Sequence, residues 1–335
     1  MSGMGSPAFR VAILGYRAQG SQHHAPAFAR LPDCRIVAVC DIVEERAREG
    51  AARYGARAYT DADEMLDREE IDIVDIPVGE KYRHALVMKC LRRGKHVFTE
   101  KPLAGADGQY KIALSDLPAA REMVDEWQRQ GTHFGVCFGL HASRNVQRMK
   151  EAIQSGALGR FRQVQARCFW GTWNHLIDQV RFLCGDAAEA FGYAEGDDWG
   201  NKTACLRFEN GGLGTLAMSK QVNVQFQIKW IGESGEATAD NINGTATWHL
   251  HKSLDATTWS QETDLRRGTY GTLFEDLIAE FVACIRERRP FAADGWAGLR
   301  HMEIDAAITE SIRTGRPVRV ERYRPEMGHT IYTMA

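Results

Sequence analysis

Through its first third the chain alternates short apolar runs with amphipathic stretches. "RVAIL", "RIVAVCD", "IDIVDIP" and "KHVFTE" are nearly continuous apolar segments of strand length, the pattern of strands buried on both faces. "ARAYT" is a further short extended run. Between them "GSQHHAPAFARL", "VEERAREGAARYG", "DADEMLD" and "YRHALVMKCLRRG" read as helices, with Asp61 as an N-cap and Gly55 and Gly94 as stops. Strands alternating with helices of this length predict right-handed βαβ units on a parallel sheet.

The pattern changes after "EKP". "LAGADGQYKIALSD" is polar and reads as a loop, followed by a helix in "LPAAREMVDEWQRQG", a strand in "THFGVCFGL" and a helix in "SRNVQRMKEAIQSGALG". From Phe161 the period is two, in "RFRQVQARCFW", "TACLRFEN", "GTLAMSK", "NVQFQIKWIG", "EATAD" and "TATWHLHKS". Glycine turns punctuate these runs, which predicts a largely antiparallel sheet with one face covered. Helices in "LFEDLIAEFVACIRERR" and "AGLRHMEIDAAITESIRTG" and a short strand in "PVRVER" complete the pattern. The change of pattern puts a domain boundary between about residues 120 and 135.

Composition narrows the function classes. A length of 335 residues suits two domains better than one core. Hydrophobic residues make up 44%, charged residues 26%, and the net charge is −2, without a basic or acidic block. Neither a nucleic-acid nor a membrane-surface partner is therefore expected. The apolar runs fall short of the ~18–20 residues a membrane span needs. "MSGMGSPAFR" lacks a basic n-region and an apolar h-region, and reads as a loose tail, not a signal peptide. The eight cysteines, Cys34, Cys40, Cys90, Cys137, Cys168, Cys184, Cys205 and Cys284, include no C-x-x-C pair. They read as free buried thiols of a reducing cytoplasm, with no zinc spacing. The alternating His249 and His251 have no carboxylate near them in sequence, so no metal is expected there.

"GYRAQG", Gly15–Gly20, follows a predicted strand and opens a predicted helix. It departs from G-x-G-x-x-G at Arg17. Gly15 is expected to make the tight turn and Gly20 to let helix and strand approach, with Arg17, Ala18 and Gln19 against the cofactor. Asp41 ends the next strand, 21 residues past Gly20 (41 − 20). Its carboxylate suits the ribose hydroxyls and repels a 2′-phosphate, so NAD is expected over NADP. Arg17 has two readings: it holds the pyrophosphate by charge-assisted hydrogen bonds, or its side chain loosens the site.

"GKHVFTEKPLA" places Glu100, Lys101 and Pro102 at the carboxyl end of a predicted strand, where open α/β sheets bind ligands. With "GxxxxGxxH" (Gly15, Gly20, His23), "IQSGALGRFRQV", "NHLIDQVRFLCGD", "IGESGEATAD" and "SIRTGRPVRV" in order, the chain resembles the Gfo/Idh/MocA oxidoreductases nearly end to end. The resemblance implies an α/β Rossmann domain (residues 1–130) that binds NAD. An α+β domain (131–335) would follow, with a large, mostly antiparallel, open-faced sheet serving substrate binding and oligomerisation. It implies hydride exchange between nicotinamide and a carbinol carbon of a sugar or cyclitol, in a homodimer or homotetramer. Lys101 matches the catalytic lysine, placed to reach both cofactor and substrate, and Glu100 borders the cofactor. The family's second motif, D-x-x-x-H-x-x-D, reads Gly171-Thr172-Trp173-Asn174-His175-Leu176-Ile177-Asp178, with Gly171 in place of the first acid. His175 is the expected proton acceptor. Asp178 either orients it, being one turn away on the same helix face, or contacts substrate. Thr172 and Asn174 are expected at the substrate, and Trp173 and Trp170 either stack on a sugar face or serve the core or an interface.

Less specific candidates complete the reading. Glu80 and Lys81 are expected in a loop beside the nicotinamide, and His84 lies near a family histidine position. His141 stands where the family often carries arginine. The polar segment after "EKPLA", longer than usual for the family, is placed to cover the cleft. Two other functions fit the same scaffold: a redox-assisted lyase or glycosidase that recycles a tightly held NAD, and a non-catalytic NAD-binding protein.

Overall fold

The computed structural model describes residues 9–220, 225–242, 244–253, 255–260 and 272–325, so the expected tail at residues 1–8 lies outside the described residues. The first unit contains β1 (Phe9–Leu14), α1 (Ala25–Arg30), β2 (Cys34–Cys40), α2 (Glu44–Tyr54), β3 (Arg57–Tyr59) and α3 (Ala62–Arg68). It continues with β4 (Ile73–Ile76), α4 (Glu80–Arg92), β5 (His96–Thr99), α5 (Leu117–Gln130) and β6 (Phe134–Val136). The strands form one parallel sheet in the order β3-β2-β1-β4-β5-β6. Val11, Ile13, Ile73, Val74 and Val97 are wholly buried in it. Chain direction across the sheet reverses between β1 and β4, which opens the crevice where such sheets take a ligand.

Two details depart from the sequence reading. The expected division after residue 130 would cut this sheet, because β6 pairs in parallel with β5. The connection explains it: α5 is the crossover that returns the chain to the same sheet. Glu80 and Lys81 are not in a loop but open α4, with extended Gly79 as the N-cap.

The second unit contains α6 (Arg144–Gln154), β7 (Phe161–Phe169), α7 (Trp173–Cys184), β8 (Ala187–Glu195), β9 (Asn201–Phe208) and β10 (Leu213–Ser219). Next come β11 (Phe226–Gly232), β12 (Gly235–Asp240), β13 (Thr245–Leu250), β14 (Ala256–Ser260), α8 (Leu273–Glu287), α9 (Gly295–Thr314) and β15 (Val318–Arg319). The nine strands run β14-β13-β12-β11-β7-β10-β9-β8-β15. All neighbours are antiparallel except β7 and β10. Val164, Leu206, Leu216, Ile228 and Trp230 point into the core, while Gln165, Arg167, Thr203 and Arg207 face outward. This is the expected mostly antiparallel sheet with one open face.

Strand β8 has no apolar alternation to betray it, since its inward residues are Ala187, Ala190 and Gly192. Close packing demands that smallness: a Cβ on Gly192 would stand 3.1 Å from Ile312 Cγ1 on α9. Helix α8 crosses back to the first unit. Phe274, Leu277, Ile278 and Phe281 join its core, with Phe281 5.1 Å ring to ring from Phe98 on β5. Among the described residues no helix is long and apolar enough to cross a membrane.

Candidate active site

The turn after β1 is built for close approach. Gly15 has φ +108°, and a Cβ there would meet Val78 Cγ1 at 2.7 Å. A Cβ on Gly20 would lie 2.2 Å from the Gly15 carbonyl oxygen, so only glycine lets the helix start against the strand end. Arg17 and Ala18 are exposed, and Ala18 takes φ +33°. Gln19 is half-buried, with its Oε1 buried and without a hydrogen-bond partner. Asp41 ties the second strand to this turn: it accepts from the Tyr16 N–H at 2.8 Å and the Val43 N–H at 2.9 Å. Bare glycines, an orphaned amide oxygen and a strand-end carboxylate fit a dinucleotide.

The helix that follows starts with a π turn, Gly20–His24, before α1. One extra residue per turn moves every later side chain around the helix. His24, the neighbour of the motif residue His23, enters the core. Its ring lies 2.8 Å from Asp75 Oδ1 and 3.2 Å from Glu100 Oε1. Burial opposes the imidazolium, yet the neighbouring Asp75 charge raises His24 well above its ordinary value. Burial would raise Glu100, but the His24 hydrogen bond and the charges of Lys101, His24 and Arg83 hold it down to about 2. His23 instead stacks on Phe274, with 4.7 Å between ring centres.

Glu100 also accepts from the backbone N–H of Lys101 at 3.1 Å. Arg83, wholly inside, donates to the carbonyls of Pro102 and Val78, fastening the cis-proline loop to α4. Lys101 is thus held from below by a buried charge network, and its Nζ donates to Gln109 Oε1 at 3.0 Å. His84, the neighbour of Arg83, points the other way and pairs with Glu122 at 2.8 Å on the surface.

Gln19, Glu100, Lys101, Cys137, Gly139, Gly171, His175 and Phe274 line one cleft. The glycine turn, the lysine and the histidine therefore meet, although they come from three separate parts of the chain. His175 is buried, its Nδ1 has no hydrogen-bond partner, and burial, aided by the Lys101 charge, pushes it to about 3. It is neutral at ordinary pH and free to accept a hydrogen bond.

The rest of the α7 motif sits differently from the sequence expectation. Asp178 is wholly buried and lies 3.1 Å from His141 Nδ1. The 3-10 turn Gly139–Ala142, where a longer strand was expected, brings His141 to that carboxylate in place of His175. Trp173 is fully buried and donates to Asp305 at 2.7 Å, so it belongs to the core and not to a substrate surface. Thr172 closes the β7–α7 turn by donating to the Phe169 carbonyl at 2.8 Å. Asn174 is buried and donates to the Gln109 carbonyl at 3.1 Å, next to His175 in the chain. Trp170 is the more exposed tryptophan, with Tyr110 5.0 Å away ring to ring.

Two other expectations change. His249 does have a carboxylate nearby: β12 places Glu236 opposite it, Oε1 lying 3.6 Å from His249 Nε2 and 2.7 Å from Lys229 Nζ. All eight cysteines are free, but Cys205 is exposed and Cys34 half-buried.

His301, in "GLRHMEID" on α9, carries no motif that points to it in the sequence. Its ring is wholly buried, 5.4 Å from the Phe138 ring centre. Burial lowers it from 6.5 to about 3, against the pull of Asp178 and with the help of Lys101 and Arg181. A histidine buried neutral contributes stability that is fully present above the unfolded value and lost as pH falls toward the folded one. His301→Leu removes that titration. Its Tm advantage over the wild type should widen between roughly pH 7 and pH 4; a margin independent of pH contradicts the assignment.

Comparison with known proteins adds the following. The GFO_IDH_MocA oxidoreductase family model, NAD-binding Rossmann fold, matches residues 9–138, and the model of that family's C-terminal alpha/beta domain matches residues 169–320. A myo-inositol 2-dehydrogenase of Thermotoga maritima is 23% identical over 343 residues, covering 93% of this chain and 98% of its own. An NAD binding oxidoreductase from Klebsiella pneumoniae has a similar structure, with a TM-score of 0.82 at 19% identity, over 94% of this chain and 100% of that one. The WlbA dehydrogenase from Bordetella pertussis, solved with NADH and UDP-GlcNAcA, gives 0.79 at 20% identity, over 94% and 98%.

Proposed function

The chain belongs to the Gfo/Idh/MocA oxidoreductase family, and from that premise we propose that it is an NAD-dependent dehydrogenase of a secondary alcohol on a sugar, sugar derivative or cyclitol. The observation that carries the reading is the shared cleft: Lys101 and His175 line it together with Gln19 of the glycine turn. NAD would supply a hydride acceptor at nicotinamide C4. The Gly15–Gly20 turn would hold its pyrophosphate, with Arg17 either clamping it or leaving it loose.

Asp41 supports NAD over NADP. Of a carboxylate's roughly four acceptor sites, two take backbone N–H groups and a third the long Arg46 contact, leaving one for a ribose hydroxyl and a second if Arg46 gives way. Arg46, the cation a 2′-phosphate would seek, lies 3.4 Å from Asp41 and is already matched by it.

Lys101 would donate a hydrogen bond to the reacting hydroxyl and keep its oxygen in place. His175 would accept the hydroxyl proton. An imidazole held near 3 is a weak base towards an alcohol. That proton becomes strongly acidic as the hydride leaves, so a weak base suffices once transfer begins. The open face of the nine-stranded sheet supports a homodimer or homotetramer, and free cysteines suit a reducing cytoplasm.

The reading is tested by following absorbance at 340 nm with a panel of sugars, sugar acids, glycosides and cyclitols, with NAD and with NADP. Stoichiometric NADH from at least one ring polyol is expected, with NAD preferred. A clear preference for NADP overturns the role of Asp41. Consumption of substrate without net NADH favours redox-assisted elimination instead.

A further inference from the structure

Gly171 stands where the resemblance calls for an acid, and the structure shows what occupies that side of the cleft. Its φ of +101° disfavours any L side chain, and a Cβ built there would lie 3.7 Å from Tyr110 Oη. The acid has not simply been trimmed; the backbone has adopted a glycine conformation beside a tyrosine hydroxyl.

Tyr110 belongs to the polar segment after the lysine loop, and so does Gln109. The Gln109 amide bonds directly to the Lys101 ammonium. Its Oε1 accepts from Lys101 Nζ at 3.0 Å and from Asn174 Nδ2 at 3.3 Å, and its Nε2 donates to Tyr110 Oη at 3.2 Å. The segment is anchored at several points. The buried Lys202 ammonium donates to the Tyr110 carbonyl at 2.8 Å, Asn174 to the Gln109 carbonyl, and Asp116 accepts from the N–H groups of Ala106 and Ala113. Neither unit alone makes this arrangement: Lys101 comes from the first, Asn174 and Lys202 from the second.

We propose that Gln109, with Tyr110 behind it, takes the place of the missing acid and reads the hydroxyl next to the reacting one. The inference rests on the dehydrogenase reading above. A substrate hydroxyl that reaches Lys101 Nζ must share or displace the Gln109 oxygen now bonded there. The amide then lies beside the ring, offering the acceptor position that Lys101 gives up and the N–H that Tyr110 does not take. A hydroxyl both donates and accepts, so an amide can satisfy it in either sense, whereas a carboxylate only accepts. The substrate class is a ring polyol with a vicinal diol at the oxidised position.

The test compares a ring polyol from the panel with its analogue lacking the adjacent hydroxyl, in the wild type, Gln109→Ala and Gln109→Glu. The wild type should prefer the diol by about 10–100-fold in kcat/KM, the range of one buried hydrogen bond. Gln109→Ala, with an unchanged Tm, should discriminate by less than about threefold, while Gln109→Glu, which still accepts, keeps most of the preference. A second arm needs no turnover: the rate of Lys101 acetylation by acetic anhydride, followed by peptide mass spectrometry, should rise severalfold in Gln109→Ala. Undiminished discrimination in Gln109→Ala, or an unchanged acetylation rate, overturns the proposal. A wild type that oxidises no ring polyol overturns the functional reading and the substrate class with it, and the acetylation arm then decides separately whether Gln109 caps Lys101.

Discussion

Replacing Lys101 with Met is expected to lower kcat/KM by about 100- to 10,000-fold, the span that a positioned acid–base group contributes. Met retains the apolar stem, so the half-buried side chain still packs, and only the ammonium is lost. Everything beneath Lys101 is arranged to hold it: Glu100 accepts its backbone N–H, His24 and Asp75 hold Glu100 or its partner, and Arg83 fastens the following proline. NAD binding, read by quenching of tryptophan fluorescence, should change little, because the glycine turn and Asp41 remain. A variant within tenfold of wild type would remove Lys101 from the chemistry.

The second large effect is on stability. Lys202 and Asp305 form a wholly buried pair, 3.6 Å apart, and Asp305 also accepts from Trp173 Nε1 at 2.7 Å. Asp305→Ala leaves an ammonium inside the protein without its counter-charge and an indole without its acceptor. A loss of about 3–5 kcal/mol is expected in urea unfolding. Pairing it with Lys202→Met should recover much of that, since replacing both charges by apolar groups is often neutral. If the single variant loses under about 1 kcal/mol, the pair is not the anchor described. Lys202 also holds the Tyr110 carbonyl, so this pair links the core of the second unit to the substrate side of the cleft.

How far the sequence led depends on whether each signal is local. The parallel sheet was legible because fully buried strands are apolar throughout, and the turn at Gly15 because glycine spacing and a strand-end acid lie within one βαβ unit. The lysine after β5 was equally local. What escaped depends on packing at a distance. Finding His24 in the core requires knowing that the helix begins with a π turn. Recognising β8 requires knowing that α9 forces alanine and glycine onto its inner face. Asp178 shares a helix face with His175, but a separate turn delivers His141 to it. Trp173 and Trp170 are three residues apart and equally apolar; only the position of Asp305 sends one inside. Gln109 lies in a polar loop with no periodicity, and its reach to Lys101 is a property of the folded structure alone.

The central claim is direct hydride transfer from a carbinol carbon at the Lys101–His175 cleft. Its most direct test is a substrate from the panel deuterated at that carbon, incubated with NAD and the wild-type protein, with the recovered dinucleotide analysed by mass spectrometry and NMR. One deuterium per NADH, located at nicotinamide C4, is the predicted result. Reduced cofactor without deuterium, or substrate converted with the cofactor left oxidised, would contradict it.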